Sequence, residues 1–227
     1  MSLRARYSGV SLGIFAGDLC NLRNEARVAG TWGCDLLHFD VMDGVFVPQM
    51  TGGPGLLKIQ DATMFKDVHL MVQRPARLID AFVAAGADAI TVHVESEGCL
   101  EAMSAIRASS EKHGREVLTG VSLMPGTTLD AARAGLDAGP DVVLVLAVDP
   151  RGSDPADVPA ACARLAELRK VQPEAIMAFD GGVTLDTLPQ IVAAGADVVV
   201  SGSAIMRAPD PKHSFEAMRA MMRAGQT

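Results

Sequence analysis

His38 and Asp40 stand two residues apart, behind the apolar pair Leu36-Leu37 and ahead of a loop that includes Val45-Phe46-Val47-Pro48. Side chains in a strand alternate faces, so His38 and Asp40 point the same way. A histidine and a carboxylate on one face at a strand's C-terminal end can bind a divalent metal or move a proton. A hydrogen-bonded pair that simply closes the strand is the alternative. Two later stretches favour chemistry: Asp67-Val68-His69-Leu70-Met71 and Phe179-Asp180-Gly181-Gly182 place further histidine and aspartate after apolar runs.

The elements that must position these residues come from a repeat. Val83-Ala84-Ala85-Gly86-Ala87-Asp88 recurs letter for letter at Val192 to Asp197, and each copy runs into a β-branched stretch. Looser copies occur at Gly33-Cys34-Asp35 and Gly139-Pro140-Asp141. The aspartates Asp35, Asp88, Asp141 and Asp197 are 53, 53 and 56 residues apart. One strand–helix unit of a parallel barrel takes about 30 residues, so each spacing is two units and four spacings close a barrel. Each copy reads as a helix end, a tight turn at glycine, and a buried parallel strand. The expected architecture is a (β/α)8 TIM barrel formed by residues 1–227 as one domain. Strands are expected over 10–15, 36–41, 67–71, 90–94, 118–123, 142–148, 176–179 and 198–201. Leu78, Ile79, Phe82 and Val83 share one face of a helix, as do Phe215, Met218 and Met222. Those methionines read as core filler. The stretch Asp149-Pro150-Arg151-Gly152-Ser153-Asp154-Pro155 is expected to be the most flexible.

Active sites of such barrels lie at the C-terminal strand ends. Those ends carry His38 and Asp40 (strand 2), His69 (strand 3), His93 and Glu95 (strand 4), Asp180 (strand 7) and Gly202-Ser203 (strand 8). His38, Asp40, His69 and Asp180 form a four-ligand set suited to Zn²⁺, or to Fe²⁺, Mn²⁺ or Co²⁺ with further oxygens. Gly181-Gly182 and Gly202-Ser203 fall where strands 7 and 8 hand over to helices, which favours a phosphate site. His93 reads as a satisfied polar residue in the barrel mouth, with a ligand or substrate contact as the alternative. His113 and His213 are expected in solvent.

The bulk of the chain narrows the classes. Its net charge is −7, and no basic cluster or basic–aromatic stripe suggests nucleic-acid binding. No run of apolar residues is long enough for a membrane span, and no segment has signal-peptide order. The four cysteines are scattered, without a C-x-x-C pair, which fits a reducing cytoplasm.

Several strings, in collinear order across most of the chain, resemble the ribulose-phosphate 3-epimerase family. They are Leu37-His-Phe-Asp-Val-Met-Asp-Gly44, Phe46-Val-Pro48, Asp67-Val-His-Leu-Met-Val72 with Pro75, and Ala85-Gly-Ala-Asp-Ala-Ile-Thr-Val-His-Val-Glu95. Gly120-Val-Ser-Leu-Met-Pro125, Phe179-Asp-Gly-Gly-Val183 and Ala194 to Ile205 follow. The resemblance implies a barrel of the ribulose-phosphate-binding type, one divalent metal (typically zinc or iron) on His38, Asp40, His69 and Asp180, and a homo-oligomer. It implies that Asp40 takes the C3 proton of a ketose phosphate and Asp180 returns one on the other face, through a metal-stabilised enediolate. Met42 and Met71 would cap the site with apolar surface. Gly181, Gly182, Gly202 and Ser203 would take the phosphate.

The chain also departs from the family pattern. Leu12-Gly13-Ile14-Phe15 replaces Pro-Ser-Ile-Leu, so a substrate-contacting serine becomes Gly13. Leu146 replaces a third capping methionine, and Pro150-Arg-Gly-Ser-Asp154 replaces a glycine-rich phosphate loop, with Arg151 as a substitute phosphate charge. Ribulose 5-phosphate is the default substrate. Allulose 6-phosphate and a tetrulose phosphate are the alternatives, and a non-catalytic sugar-phosphate binder is a further one. Aldol or decarboxylation chemistry on a related barrel would need Asp-x-Lys-x-x-Asp on a strand, whereas Asp210-Pro211-Lys212 lies in a late loop.

Overall fold

The computed structural model describes residues 2–59 and 63–225. Eight parallel strands close on themselves in chain order: β1 (Gly9–Gly13), β2 (Leu36–Met42), β3 (Phe65–Met71), β4 (Ala89–His93), β5 (Leu118–Leu123), β6 (Val142–Leu146), β7 (Ile176–Asp180) and β8 (Val198–Ser201). A short α1 (Leu3–Arg6) precedes the barrel. The outer ring holds α2 (Leu22–Thr31), α3 (Ile79–Ala85), α4 (Cys99–His113), α5 (Leu129–Asp137), α6 (Val158–Val171), α7 (Leu188–Ala193), α8 (Ser203–Met206) and α9 (Pro211–Gly225). This is the expected (β/α)8 barrel.

The repeat has a structural explanation. Gly86 and Gly195 close helices with positive φ (101° and 94°), and the aspartate two residues on anchors the next strand. Asp88, Asp141 and Asp197 accept from the backbone N–H of Lys66, Thr119 and Met177 at 2.8–2.9 Å. These bonds stitch neighbouring strands at their N-terminal ends, the face of a barrel that serves stability.

Alternation along the strands sorts the interior into layers. Leu36, Phe65, Ala89, Leu118, Val142, Ile176 and Val198 form an apolar floor, which Leu3 and Tyr7 cover from below. Tyr7 stacks on Phe65 with centroids 4.9 Å apart. Above the floor the inward positions turn polar: Ser11, His38, Asp67, Thr91 and Ser122 are all buried. At the mouth, Val47, Met71, Met124 and Leu146 form a separate apolar cluster with Met42 and Phe46 packed on it. The large core lies outside, between sheet and helices, and includes Ile79, Phe82, Val83, Phe215, Met218 and Met222 as expected.

Two strands are shorter than expected. The first ends at Gly13, and Ile14–Ala16 turn as a 3₁₀ helix. Where the chain leaves the sheet, Gly13 lies so near the end of β8 that a Cβ there would meet the Gly202 Cα at 3.0 Å. The sixth ends at Leu146, although Ala147 and Val148 continue the apolar run; Asp149 then starts a turn that binds Arg151.

Candidate active site

The register of β2 against β3 sets the site. It places His38 beside Asp67, Asp40 beside His69, and Met42 beside Met71. His38 Nε2 and His69 Nδ1 each lie 3.1 Å from Asp40 Oδ1. Asp180 arrives from β7, with Oδ2 3.9 Å from His69 Nδ1. One ligand atom from each of His38, Asp40, His69 and Asp180 falls within a set spanning at most 4.8 Å. The four residues singled out at three strand ends therefore meet at one point.

The far side of each imidazole shows what the set suits. His38 Nδ1 lies 2.6 Å from the buried carboxylate Oδ2 of Asp67, which also accepts from Ser11 Oγ at 3.1 Å. A carboxylate accepts only, so His38 donates from Nδ1 and turns the lone pair of Nε2 inward. That lone pair and the Asp40 oxygen then face each other at a distance that only a proton or a cation between them makes favourable. Two imidazole nitrogens and two carboxylates are a donor set for zinc or another divalent transition metal, with the supports such ligands need.

Burial pushes the His38 imidazole towards neutrality, but Asp67 and Asp40 outweigh it and raise its pKa well above the usual histidine range. Burial likewise works against ionisation of Asp40, yet His38 and His69 hold its carboxyl well below the usual carboxylate range. Asp180 goes the other way: burial, then the charge of Asp40, raise it to about 6. Two carboxyl groups in one site are thus pushed apart, the pattern expected where one acts as base and the other as acid.

A cavity of about 520 Å³ opens from Asp40, Asp180 and Met42 towards Gly181, Gly182, Gly202 and Ser203. Gly181 and Gly182 have φ of 97° and 66°. Thr187 Oγ1 donates to the Gly182 carbonyl at 2.7 Å and fixes this turn. Those seven expected residues line the cavity. His38 and His69 do not line it; they are buried and reach it through Asp40. Met71 also stays off the wall and packs in the apolar cluster beside Met42. Leu146 belongs to the same cluster, and Met124 joins it.

Other residues fall differently. Arg151 does not line the cavity; its Nε and Nη2 bind Asp149 at 2.9 and 2.6 Å. His113 is exposed but bonds Asp80 at 3.0 Å, and His213 is exposed. His93 is buried and partnered on both sides, by His69 at 2.9 Å and Glu95 at 3.1 Å. Burial lowers its pKa to about 4. Burial alone would raise Glu95, but hydrogen bonds from His93, Thr127 and Met124 lower it to about 2. Asp43 caps its own loop, accepting from the backbone of Val45, Phe46 and Gln73. Gln49, Met50 and Thr51 also line the cavity. Their loop has no periodicity, so nothing in the sequence marked them. Thr51 is held by Oγ1 donating to the Asp40 carbonyl at 2.6 Å.

Acid–base groups gathered at the C-terminal mouth of a closed parallel barrel, beside a glycine-lined cavity, define a class: a (β/α)8 enzyme. Solved structures agree on the fold. 3-Keto-L-gulonate-6-phosphate decarboxylase from Vibrio cholerae aligns over 96% of this chain and 98% of its own with TM-score 0.67 at 12% identity. KGPDC from Streptococcus mutans aligns over 97% and 100% with TM-score 0.72 at 14% identity. At such identities the likeness speaks for the barrel alone. Sequence goes further. Residues 9–206 match the Ribulose-phosphate 3 epimerase family. The ribulose-phosphate 3-epimerase of Treponema pallidum is 42% identical over 76% of this chain and 79% of its own, and that of Escherichia coli K12 is 35% identical over 91% and 92%. The chain belongs to the ribulose-phosphate 3-epimerase family, and it is an epimerase, an isomerase of the carbohydrate class. Among the described residues no helix is long and apolar enough to cross a membrane.

Proposed function

We propose that the chain is a metal-dependent 3-epimerase of a ketose phosphate, with ribulose 5-phosphate the default substrate and xylulose 5-phosphate its product. The observation that carries this reading is the convergence of His38, Asp40, His69 and Asp180 at the end of one cavity. These four residues would hold one divalent cation, Zn²⁺ or Fe²⁺, with Mn²⁺ or Co²⁺ able to replace it. When bound, the cation supplies positive charge where an oxyanion develops beside the C3–H bond.

The chain's own residues do the rest. Asp40 and Asp180 come from β2 and β7, separated by β1 and β8, and line the same cavity. Asp40, kept ionised by His38 and His69, removes the C3 proton. Asp180, whose pKa is raised, delivers a proton to the opposite face, and the centre inverts. Met42, backed by the apolar cluster of Met71, Met124 and Leu146, excludes water that would quench the enediolate. The phosphate binds at Gly181-Gly182 and Gly202-Ser203, where the turn after β7 and the start of α8 offer backbone N–H groups. Allulose 6-phosphate or a tetrulose phosphate is the second substrate reading. It is favoured by one observation: Gly13 presents no hydroxyl where the cavity meets β1.

The test is Asp180→Asn, assayed with metal loading confirmed. Loss of an essential acid–base group costs about 10²–10⁴-fold, so epimerisation should become undetectable or nearly so. An active, metal-loaded Asp180→Asn protein would remove the two-aspartate scheme.

A further inference from the structure

The imidazole of His69 has a partner that the reaction scheme does not use. Its Nε2 lies 2.9 Å from Nε2 of His93. The two rings are within 24° of coplanar and their centroids are 4.9 Å apart, so they meet edge to edge, nitrogen to nitrogen. His93 Nδ1 in turn lies 3.1 Å from Glu95 Oε2. The other oxygen of Glu95 is occupied: it accepts from the Met124 backbone N–H at 2.9 Å and from the Thr127 hydroxyl. Thr127 is itself tied to α6, because its carbonyl accepts from Arg164. Phe46 packs against the His93 ring at 5.0 Å.

We infer that His93 and Glu95 are positioning residues, which fix the tautomer and ring orientation of His69 so that its Nδ1 faces Asp40 and Asp180 as a bare lone pair. The inference rests on the metal reading of the four-residue cluster. Its chemistry follows from donor and acceptor counting. Glu95 can only accept, so His93 donates from Nδ1. A neutral imidazole has a single N–H, so His93 Nε2 accepts. His69 must then donate from Nε2, and once a cation replaces the proton between its Nδ1 and Asp40, that nitrogen carries none. His38 reaches the same state through Asp67. The two ligating histidines are therefore oriented by unlike supports. One carboxylate acts directly on His38; the other acts on His69 through a second imidazole and is anchored on the β5–α5 loop. Partners of this kind change metal affinity by about 10–100-fold when removed.

Glu95→Gln is the informative change. The backbone N–H of Met124 keeps the amide oxygen on its side, so the amide NH₂ turns to His93 Nδ1. His93 must then carry its proton on Nε2 and donate it in a hydrogen bond to His69 Nε2, so the single proton of His69 sits on Nδ1, facing the cluster. Zinc affinity, measured by competition with a chromophoric chelator, should fall roughly 10–100-fold, and the visible spectrum of the Co²⁺-loaded protein should change. His93→Gln should bind zinc more tightly than Glu95→Gln, because its carbonyl still accepts from His69 Nε2 whatever residue 95 offers. Nitrogen-15 NMR of the unmutated, Zn²⁺-loaded protein reads the same state without substitution: Nδ1–H on His93 and Nε2–H on His69. Glu95→Gln with unchanged zinc affinity and cobalt spectrum would overturn the proposal, as would a doubly protonated His93. If the unmutated protein itself binds neither Zn²⁺ nor Co²⁺, it is the metal reading that fails, and the two failures are distinct.

Discussion

Asp40 and Asp180 carry the same functional group in one cavity, and their surroundings shift them in opposite directions. Both are pushed towards the neutral acid by burial. Asp40 escapes because two imidazoles lie 3.1 Å from its Oδ1, whereas Asp180 has its nearest imidazole nitrogen at 3.9 Å and Asp40 itself as a like charge. Asp180 is raised to about 6, above its unfolded value, so it keeps a proton below that pH in the metal-free protein. Its share of stability is present in acid and lost as pH rises through about 6. A cation needs it ionised. Below 6 binding should displace a proton from Asp180 as well as the one that Asp67 and Asp40 hold on His38, so metal affinity should climb more steeply below 6 than above it, with proton release on binding falling across 6 in titration calorimetry. An affinity flat from pH 5 to 7 would contradict the state assigned to Asp180. The pairing of His38 with Asp40 in the cluster was legible in the sequence because alternation alone puts them on one face. Their supports were not. Asp67 serves His38 only because β2 and β3 pair in the register His38 to Asp67, and Glu95 reaches His69 only through His93. Arg151 was read as a phosphate contact from its place in a loop; a carboxylate two residues earlier captures it first.

At the scale of elements, the strand ends and the turns that follow them set the shape of the cavity. A Cβ on Gly182 would lie 2.7 Å from Ala156 Cβ and 2.8 Å from Val158 Cγ2, with φ at 66°. Gly182→Ala should cost about 1–2 kcal/mol through the left-handed backbone alone. In a chain of this size that lowers the melting temperature by roughly 2–8 °C. It should also raise KM for the phosphorylated substrate more than it lowers kcat, because the turn after β7 is displaced while Asp180 remains on its strand. A variant with unchanged KM would place the phosphate elsewhere. The strand series was legible because the glycine–aspartate repeat marks alternate strand starts, and the aspartates turn out to stitch those starts together. The ends were less so. Ile14 and Phe15 look like strand but turn, beside a close approach of Gly13 to Gly202, a contact between residues far apart in sequence.

The whole molecule joins two halves with different tasks. Below, an apolar floor closed by Tyr7 makes the barrel solid; above, a polar layer lies buried in it and leads to the mouth. Concentrating His38, Asp40, His69, Asp67 and Asp180 there is costly without a cation, so occupancy and stability are linked. With cation at 100 times its Kd, linkage adds about 2.7 kcal/mol, or roughly 5–11 °C in melting temperature. A chelator should remove both that increment and the activity, and Zn²⁺ or Fe²⁺ should restore both. The closed barrel was readable from repeat spacing because chain order and strand order coincide; the identity of the sugar depends on cavity shape, which no spacing encodes. The most direct measurement is proton NMR of ribulose 5-phosphate in deuterated water with the metal-loaded protein. The expected result is loss of the C3 proton signal together with appearance of xylulose 5-phosphate. Retention of the C3 proton by ribulose 5-phosphate, allulose 6-phosphate and a tetrulose 4-phosphate alike, with metal bound, would contradict proton transfer at C3 by Asp40 and Asp180.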